Sequence, residues 1–83
     1  MPDASIAAEL RQKVAELSNG RVGPEAIDPK MPLLSSGYID SLTAVMLLAH
    51  IDDTWGVDID ETELMGSANT LDAVASLIEQ RRE

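Results

Sequence analysis

Apolar side chains recur along most of the chain at spacings of three or four residues, which would place them on one face of an α-helix. The first run consists of Ile6, Leu10, Val14 and Leu17. Asp3 or Ser5 is suited to cap the start of this helix, because both side chains accept hydrogen bonds from free backbone N–H groups. Asn19-Gly20 is suited to end it, since both residue types adopt the left-handed conformation that closes a helix.

The C-terminal half of the chain contains two further helical patterns with a helical turn between them. Residues 41–55 form a pattern that ends at Gly56, and residues 60–65 form one short turn. The last helix is predicted to begin at Thr70, and its apolar face consists of Leu71, Val74, Ala75 and Ile78. These patterns predict an all-α protein, a small bundle of three long helices and one short helix in a single domain over residues 1–83.

The connection between the first two helices, residues 21–40, is long for so small a domain. It contains prolines and glycines, but it is not uniformly polar. The apolar residues that we expect beneath the helices are Val22, Ile27, Leu33 and Leu34. We therefore predict a packed or functional segment, not a disordered one.

Fifteen acidic and six basic side chains give the chain a formal charge of −9 at neutral pH. This balance argues against nucleic acid or an anionic membrane surface as a partner, because both attract proteins mainly through Lys and Arg. No apolar run approaches the ~20 residues of a membrane span, and the N-terminus lacks the pattern of a signal peptide. The absence of cysteine suits a reducing compartment. We expect a free-standing cytoplasmic protein, because Met1 opens the chain and neither end resembles a linker.

The acidic residues are unevenly distributed along the chain. Residues 31–80 contain nine Asp and Glu side chains but no Lys or Arg. Two interpretations fit this stretch: general solubility, or one anionic face that attracts a basic partner protein at long range.

The second helix carries two apolar stripes, whereas a surface helix needs only one. The first stripe consists of Ala44, Leu47, Leu48, Ile51 and Trp55. The second consists of Leu42, Val45, Met46 and Ala49 and continues into Asp52 and Asp53. Either the helix is packed on two sides, or the second stripe is exposed and docks other proteins. We favour docking, with Met46 as an adaptable contact residue at its centre.

Few residues could support catalysis by the chain itself. His50 is the only histidine, and Ser41 would lie nine residues away on the same helix, roughly 13 Å along its axis. No nucleophile–base pair is therefore available, and we expect a solvated His50 and no hydrolase. A calcium loop that starts at Asp52 would need glycine at its sixth position, where the chain has Val57. We predict neither catalytic residues nor a metal site.

Asp40 and Ser41 stand at the start of the second helix. The Ser41 hydroxyl would lie beside unpaired backbone N–H groups at the positive end of the helix dipole, which favours a phosphate ester. However, Asp-Ser pairs also start many helices for capping reasons alone. The dipeptide by itself leaves both interpretations open.

The whole chain resembles an acyl carrier protein. Residues 40–42 resemble the Asp-Ser-Leu that opens the second of four helices in that family, after a long first loop and in a domain of this size and acidity. Residues 56–59, which follow an aromatic residue, and Thr70-Leu71 at the start of the last helix continue the resemblance. The Gly-x-x-Asp-Ser form of residues 37–41 is more similar to D-alanyl, aminoacyl, peptidyl or polyketide-type carriers than to the carriers of fatty-acid synthesis.

The resemblance implies that Ser41 receives 4′-phosphopantetheine from coenzyme A through a phosphopantetheinyl transferase. The chain would then be a non-catalytic carrier that holds an acyl, aminoacyl or polyketide intermediate as a thioester, as in polyketide, nonribosomal peptide or antibiotic biosynthesis. An adenylating ligase or acyltransferase would load it, and a downstream acyltransferase or synthase would unload it. The recognition face would consist of Leu42, Val45, Met46, Ala49, Asp52 and Asp53, on a protein that we expect to be a monomer.

The alternative interpretation is an acidic helical adaptor that binds a basic protein and has no prosthetic group. The two interpretations differ in whether Ser41 accepts phosphopantetheine.

Overall fold

The structure is a computed structural model that describes residues 4–82. Its elements are α1 (Ala4–Leu17), a short 3₁₀ helix (Pro24–Ala26), α2 (Ser41–Trp55), α3 (Glu61–Met65) and α4 (Leu71–Arg81). The described residues contain no strand, although one isolated antiparallel bridge joins Pro32 to Thr70. The prediction of an all-α bundle with three long helices and one short helix is confirmed. None of the described helices is long and apolar enough to cross a membrane.

The core is formed by one apolar face of each long helix. These faces consist of Ile6, Leu10 and Val14 on α1, Ala44, Leu47 and Ile51 on α2, and Leu71, Val74, Ala75 and Ile78 on α4. None of these side chains is more than 3% exposed, so removal of apolar surface from water is the main source of stability. Leu17, Leu48 and Trp55, which the sequence pattern placed on the same faces, are only half-buried at the edge of this core.

The start and the end of α1 differ in how they agree with their predicted positions, and only the end is confirmed. Ser5 lies inside α1, so the expectation that it caps the helix is wrong, and Asp3 lies outside the described residues. The helix ends at the predicted place, where Asn19 and Gly20 have φ angles of 61° and 85°. This left-handed backbone costs glycine nothing sterically, and asparagine tolerates it better than most residues.

Loop 1, which we define as residues 18–40, is packed against the helices. All four predicted apolar residues contact the core: Val22, Ile27, Leu33 and Leu34. Ile39 is also buried, at 2% exposed, although the sequence analysis did not single it out. Because it directly precedes Asp40, its burial fixes the point at which the chain enters α2.

Hydrogen bonds hold loop 1 from both sides. The Arg11 guanidinium on α1 donates to the carbonyl oxygens of Pro24 and Ile27, at 3.2 Å and 2.9 Å. On the other side, the Leu33 N–H donates to the Asn69 carbonyl oxygen at 2.7 Å. The loop is therefore attached to α1 and to the segment before α4, and the start of α2 is held relative to both.

The short helix α3 is held by its own cap and by α4. Asp60 and Glu63 form a capping box, in which the Glu63 carboxylate accepts from the Asp60 N–H at 3.0 Å. Arg81 of α4 donates to the same carboxylate and to the Asp58 carbonyl oxygen, each at 3.1 Å. The contact between Arg81 and Glu63 spans 18 residues of sequence and has no signature in the local pattern.

Candidate functional site

The start of α2 is closed by a reciprocal pair of hydrogen bonds. The Asp40 carboxylate accepts from the Thr43 N–H at 2.9 Å, and the Thr43 hydroxyl oxygen accepts from the Asp40 N–H at 2.8 Å. Two backbone donors that a helix start normally leaves unpaired are thus satisfied. The prediction that Asp40 caps α2 is confirmed, and Thr43 completes the cap in place of an acidic residue.

The same hydrogen bonds keep Asp40 ionised. The backbone N–H and the hydroxyl of Thr43 lower the pKa of the Asp40 carboxyl, and the Leu42 N–H and the positive charge of Arg21 contribute less. The helix start therefore carries a fixed negative charge directly before Ser41.

Ser41 is the first residue of α2, and it is exposed to solvent. No group among the described residues forms a hydrogen bond with its hydroxyl. Asp40 and Thr43 complete the cap between them, so the hydroxyl of Ser41 is not needed for folding. It is available for covalent chemistry at the positive end of the α2 dipole.

An apolar groove of about 210 Å³ lies beside Ser41, between loop 1, α2 and α3. Its lining consists of Leu34, Ser41, Ala44, Glu61, Leu64 and Met65. A second depression of about 240 Å³ continues along loop 1 and shares Leu34, Leu64 and Met65 with the first. A flexible group attached to Ser41 would therefore meet a largely apolar surface, with Glu61 as the one charged residue of the first groove's lining.

The second apolar stripe of α2 faces solvent. Leu42, Val45 and Met46 are 72%, 48% and 49% exposed, whereas Leu47 and Ile51 on the opposite side are fully buried. The interpretation of a helix packed on two sides is therefore wrong. We call this exposed surface the α2 face, and it consists of Leu42, Val45, Met46, Ala49, Asp52 and Asp53.

His50 has a structural environment that the sequence analysis did not predict. Its side chain is 20% exposed, and Nε2 lies 3.2 Å from Glu9 Oε2 on α1. The Trp55 ring meets it edge-on with 6.0 Å between centroids, and the Thr54 hydroxyl lies about 3.4 Å from Nε2. The expectation of a solvated histidine is wrong, because His50 fills the interface between α2 and α1.

Arg21 contacts the segment that leads into α2, and the sequence pattern did not identify it. Its Nε donates to the Ser18 carbonyl oxygen at 3.1 Å, and its Nη2 donates to the Gly37 carbonyl oxygen at 3.3 Å. Gly37 lies 16 residues further along the chain than Arg21 and three residues before Asp40. No local pattern identifies such a contact, because it depends on the path of loop 1.

Comparison with known families gives one match, and it covers most of the chain. A family model described as a phosphopantetheine attachment site matches residues 8–78, which include loop 1, α2 and α3. The comparison with curated proteins finds no match for the chain. Attachment of a phosphopantetheine requires an accessible hydroxyl that the fold does not use, and Ser41 meets both conditions.

Proposed function

The chain belongs to the phosphopantetheine attachment family, and from this premise we propose that Ser41 is the residue that bears the prosthetic group. The family's cofactor is 4′-phosphopantetheine, bound covalently, and its carrier domains are modified by a phosphopantetheinyl transferase. The observation that supports Ser41 is an exposed hydroxyl without a hydrogen-bond partner among the described residues, at the start of a capped helix.

We propose that the protein acts as the substrate of this transferase, and the surroundings of Ser41 support this role. The Ser41 hydroxyl has no base within hydrogen-bond distance among the described residues, so we expect a group of the transferase to accept the proton that the hydroxyl loses on modification. Asp40 and Thr43 hold the backbone of the first turn, which fixes the point on the fold from which the hydroxyl extends. The positive end of the α2 dipole then favours the phosphodiester that remains on Ser41.

The bound arm supplies a terminal thiol on which a cargo is held as a thioester. The chain's own contribution is to tether that cargo, which gives each partner enzyme a high effective concentration of it. We propose an aminoacyl, peptidyl or polyketide cargo in secondary metabolism, because the Gly-x-x-Asp-Ser segment and the neutral Thr43 and Met46 differ from the pattern of fatty-acid carriers. The loading enzyme is then an adenylating ligase or an acyltransferase, and a downstream acyltransferase or synthase receives the cargo.

The α2 face is the surface that we assign to these partners. It presents three exposed apolar side chains next to Ser41, and two carboxylates follow at the far end of the helix. An apolar patch beside carboxylates fits a partner with an apolar pocket and basic residues at its rim.

A loading assay tests the proposed class of cargo. Phosphopantetheinylated protein and Ser41→Ala are incubated with adenylating ligases, ATP and labelled amino acids, and in parallel with acyltransferases and labelled acyl-coenzyme A. We expect the modified protein to retain label after denaturation and to release it with hydroxylamine, which cleaves thioesters, whereas Ser41→Ala retains none. Loading by the malonyl transferase of fatty-acid synthesis alone would contradict the proposed class.

A further inference from the structure

Of the six basic residues of this acidic protein, Lys30 in loop 1 forms a hydrogen bond only through its backbone N–H among the described residues, whereas the side chains of the other five have partners there. Three of them form ion pairs with carboxylates of the described residues: Lys13–Glu16, Arg81–Glu63 and Arg82–Glu79. Arg11 and Arg21 differ from these, because their guanidinium groups donate to backbone carbonyl oxygens. Each therefore has a positive charge that no carboxylate of the described residues neutralises by direct contact.

Arg11 and Arg21 hold different parts of loop 1. Arg11 is half-buried and contacts the loop around its 3₁₀ helix, far along the sequence from Ser41. Arg21 is exposed and bridges Ser18, at the end of α1, to Gly37, in the turn that leads into α2. The two arginines thus share one kind of contact but not one location.

The location of Arg21 places a positive charge within electrostatic reach of the start of α2. The pKa of the Asp40 carboxyl is lowered mainly by its hydrogen bonds with Thr43, and the charge of Arg21 lowers it further. The carboxylate of Asp40 and the hydroxyl of Ser41 belong to adjacent residues. No Lys or Arg occurs between residues 31 and 80, so α2 itself offers no cation to an anion at its first residue.

We propose that Arg21 is the counter-ion of the phosphodiester on Ser41 in the modified protein. The inference rests on the proposed function, since it requires that Ser41 bears the phosphopantetheine. A phosphodiester adds a negative charge beside that of Asp40, and the two anions repel each other. A guanidinium has five N–H donors, and Arg21 uses two of them for carbonyl oxygens, so donors remain for phosphate oxygens. Arg21 is thereby a positioning residue, because it holds the phosphodiester end of the phosphopantetheine near loop 1.

A thermodynamic cycle distinguishes a counter-ion of the phosphodiester from a residue that only stabilises loop 1. The melting temperatures of the unmodified and the phosphopantetheinylated forms are measured for the parent protein and for Arg21→Gln, Arg21→Lys and Arg11→Gln. The intact mass of each sample confirms its modification state. We expect Arg21→Gln to lower the melting temperature of the modified form by roughly 2–5 °C more than that of the unmodified form. Arg21→Lys should recover most of this difference, and high salt should reduce it, because exposed charges are screened.

Arg11→Gln is the matched control, because Arg11 also donates to loop 1 carbonyl oxygens. It should lower the melting temperature of both forms equally. If Arg21→Gln lowers the melting temperature of both forms equally, the inference is overturned, and Arg21 only stabilises loop 1. If no transferase modifies the parent protein, the proposed function itself fails, and the mass measurement reports that outcome separately.

A second measurement needs no variant and applies even if Arg21→Gln does not fold. The NMR signals of the arginine Nε–H groups are compared before and after modification of the parent protein. We expect the Arg21 signal to move and the Arg11 signal to stay. A fixed Arg21 signal, together with a shifted Leu42 amide signal that reports the modification, contradicts the inference.

Discussion

Asp40 combines a structural and an electrostatic role at the start of α2. Its carboxylate completes the cap with Thr43, and its charge lies next to the hydroxyl of Ser41. The cap does not involve Ser41, so a modification of the serine leaves the hydrogen bonds that start the helix intact. This division lets the folding element at the start of α2 also serve as the attachment site that we propose.

The pH dependence of stability reports the cap at Asp40. The pKa of this carboxyl is lowered in the folded protein, so the fold favours the ionised form. Its contribution is fully present above the unfolded pKa, about 4, and is lost as the pH falls through the lower folded pKa. Asp40→Asn keeps an acceptor but cannot ionise. We expect the melting temperature of the parent protein to fall by roughly 2–5 °C more than that of Asp40→Asn between about pH 5 and pH 2.

Asp53→Asn is the control for the loss of one carboxylate from α2, because the Asp53 side chain is exposed and forms no hydrogen bond among the described residues. It should keep the pH profile of the parent protein. Parallel profiles of the parent protein and Asp40→Asn would show that the cap contributes nothing through its charge.

Single residues were predictable from the sequence where their contacts are local. Asp40 as the cap of α2 and the exposure of Ser41 both follow from positions within one helical turn. Arg21 and His50 were not predictable, because their partners lie on other elements. His50 shows the reason: a residue on the polar side of one helix is buried when that side meets a second helix.

At the scale of elements, α2 is apolar on two sides but uses only one for the core. Its buried side meets the bundle, while the α2 face remains exposed. The hydrophobic pattern alone left two interpretations, since it cannot count the neighbours of a helix. The packing of neighbouring elements decides between them, because α1 and α3 contact α2 and leave the α2 face exposed.

A charge placed on the α2 face should affect binding and leave the fold unchanged. Met46 is 49% exposed, so we expect Met46→Glu to change the melting temperature by less than about 2 °C. It should weaken binding to a phosphopantetheinyl transferase or loading enzyme roughly tenfold, because the new carboxylate would be desolvated without a partner. Calorimetry and binding measurements on the same samples give both quantities.

Met31→Glu serves as the comparison for that variant, because Met31 is 42% exposed but lies in loop 1, outside the α2 face. It should bind as the parent protein does. Equal loss of binding in both variants would mean that an added negative charge weakens binding wherever it lies, and that the α2 face is not the recognition surface.

The link between α3 and α4 allows a second test at this scale. Arg81 is the only described residue outside α3 and its flanking loops that donates to Glu63, and this hydrogen bond is the main cause of the lowered Glu63 pKa. We expect Arg81→Gln to increase amide hydrogen exchange in α3 about two- to fivefold, because one side of this short helix loses its support. Arg82→Gln, which breaks the ion pair between Glu79 of α4 and the C-cap residue of the same helix, should leave α3 exchange unchanged. Faster exchange throughout the protein would instead indicate a global loss of stability.

The elements themselves were largely predictable, because their signals are strong and local. Thr70 caps α4 and Gly56 ends α2 as the sequence indicated. The cap of α1 was left open between Asp3 and Ser5, because several polar residues near the N-terminus can serve equally in a pattern; Ser5 lies inside α1, and Asp3 lies outside the described residues. The burial of Ile39 was missed because an isolated apolar residue in a loop has no periodicity.

At the scale of the whole molecule, a small acidic bundle presents the Ser41 hydroxyl beside the exposed α2 face, and this hydroxyl has no hydrogen-bond partner among the described residues. The fold supplies a rigid start of α2, and the chain offers no base to the hydroxyl among its described residues. The composition could exclude classes of partner, and the resemblance could name a family.

The central claim, that Ser41 bears the phosphopantetheine, is tested most directly by intact mass spectrometry. The parent protein, Ser41→Ala and Ser35→Ala are incubated with coenzyme A, magnesium and a broad-specificity phosphopantetheinyl transferase. Ser35 is the matched control, because it is exposed and lies in the depression next to the Ser41 groove. We expect one phosphopantetheine on the parent protein and on Ser35→Ala, and none on a fully folded Ser41→Ala. Modification of Ser41→Ala, or no modification of the parent protein by any of several transferases, would contradict the claim.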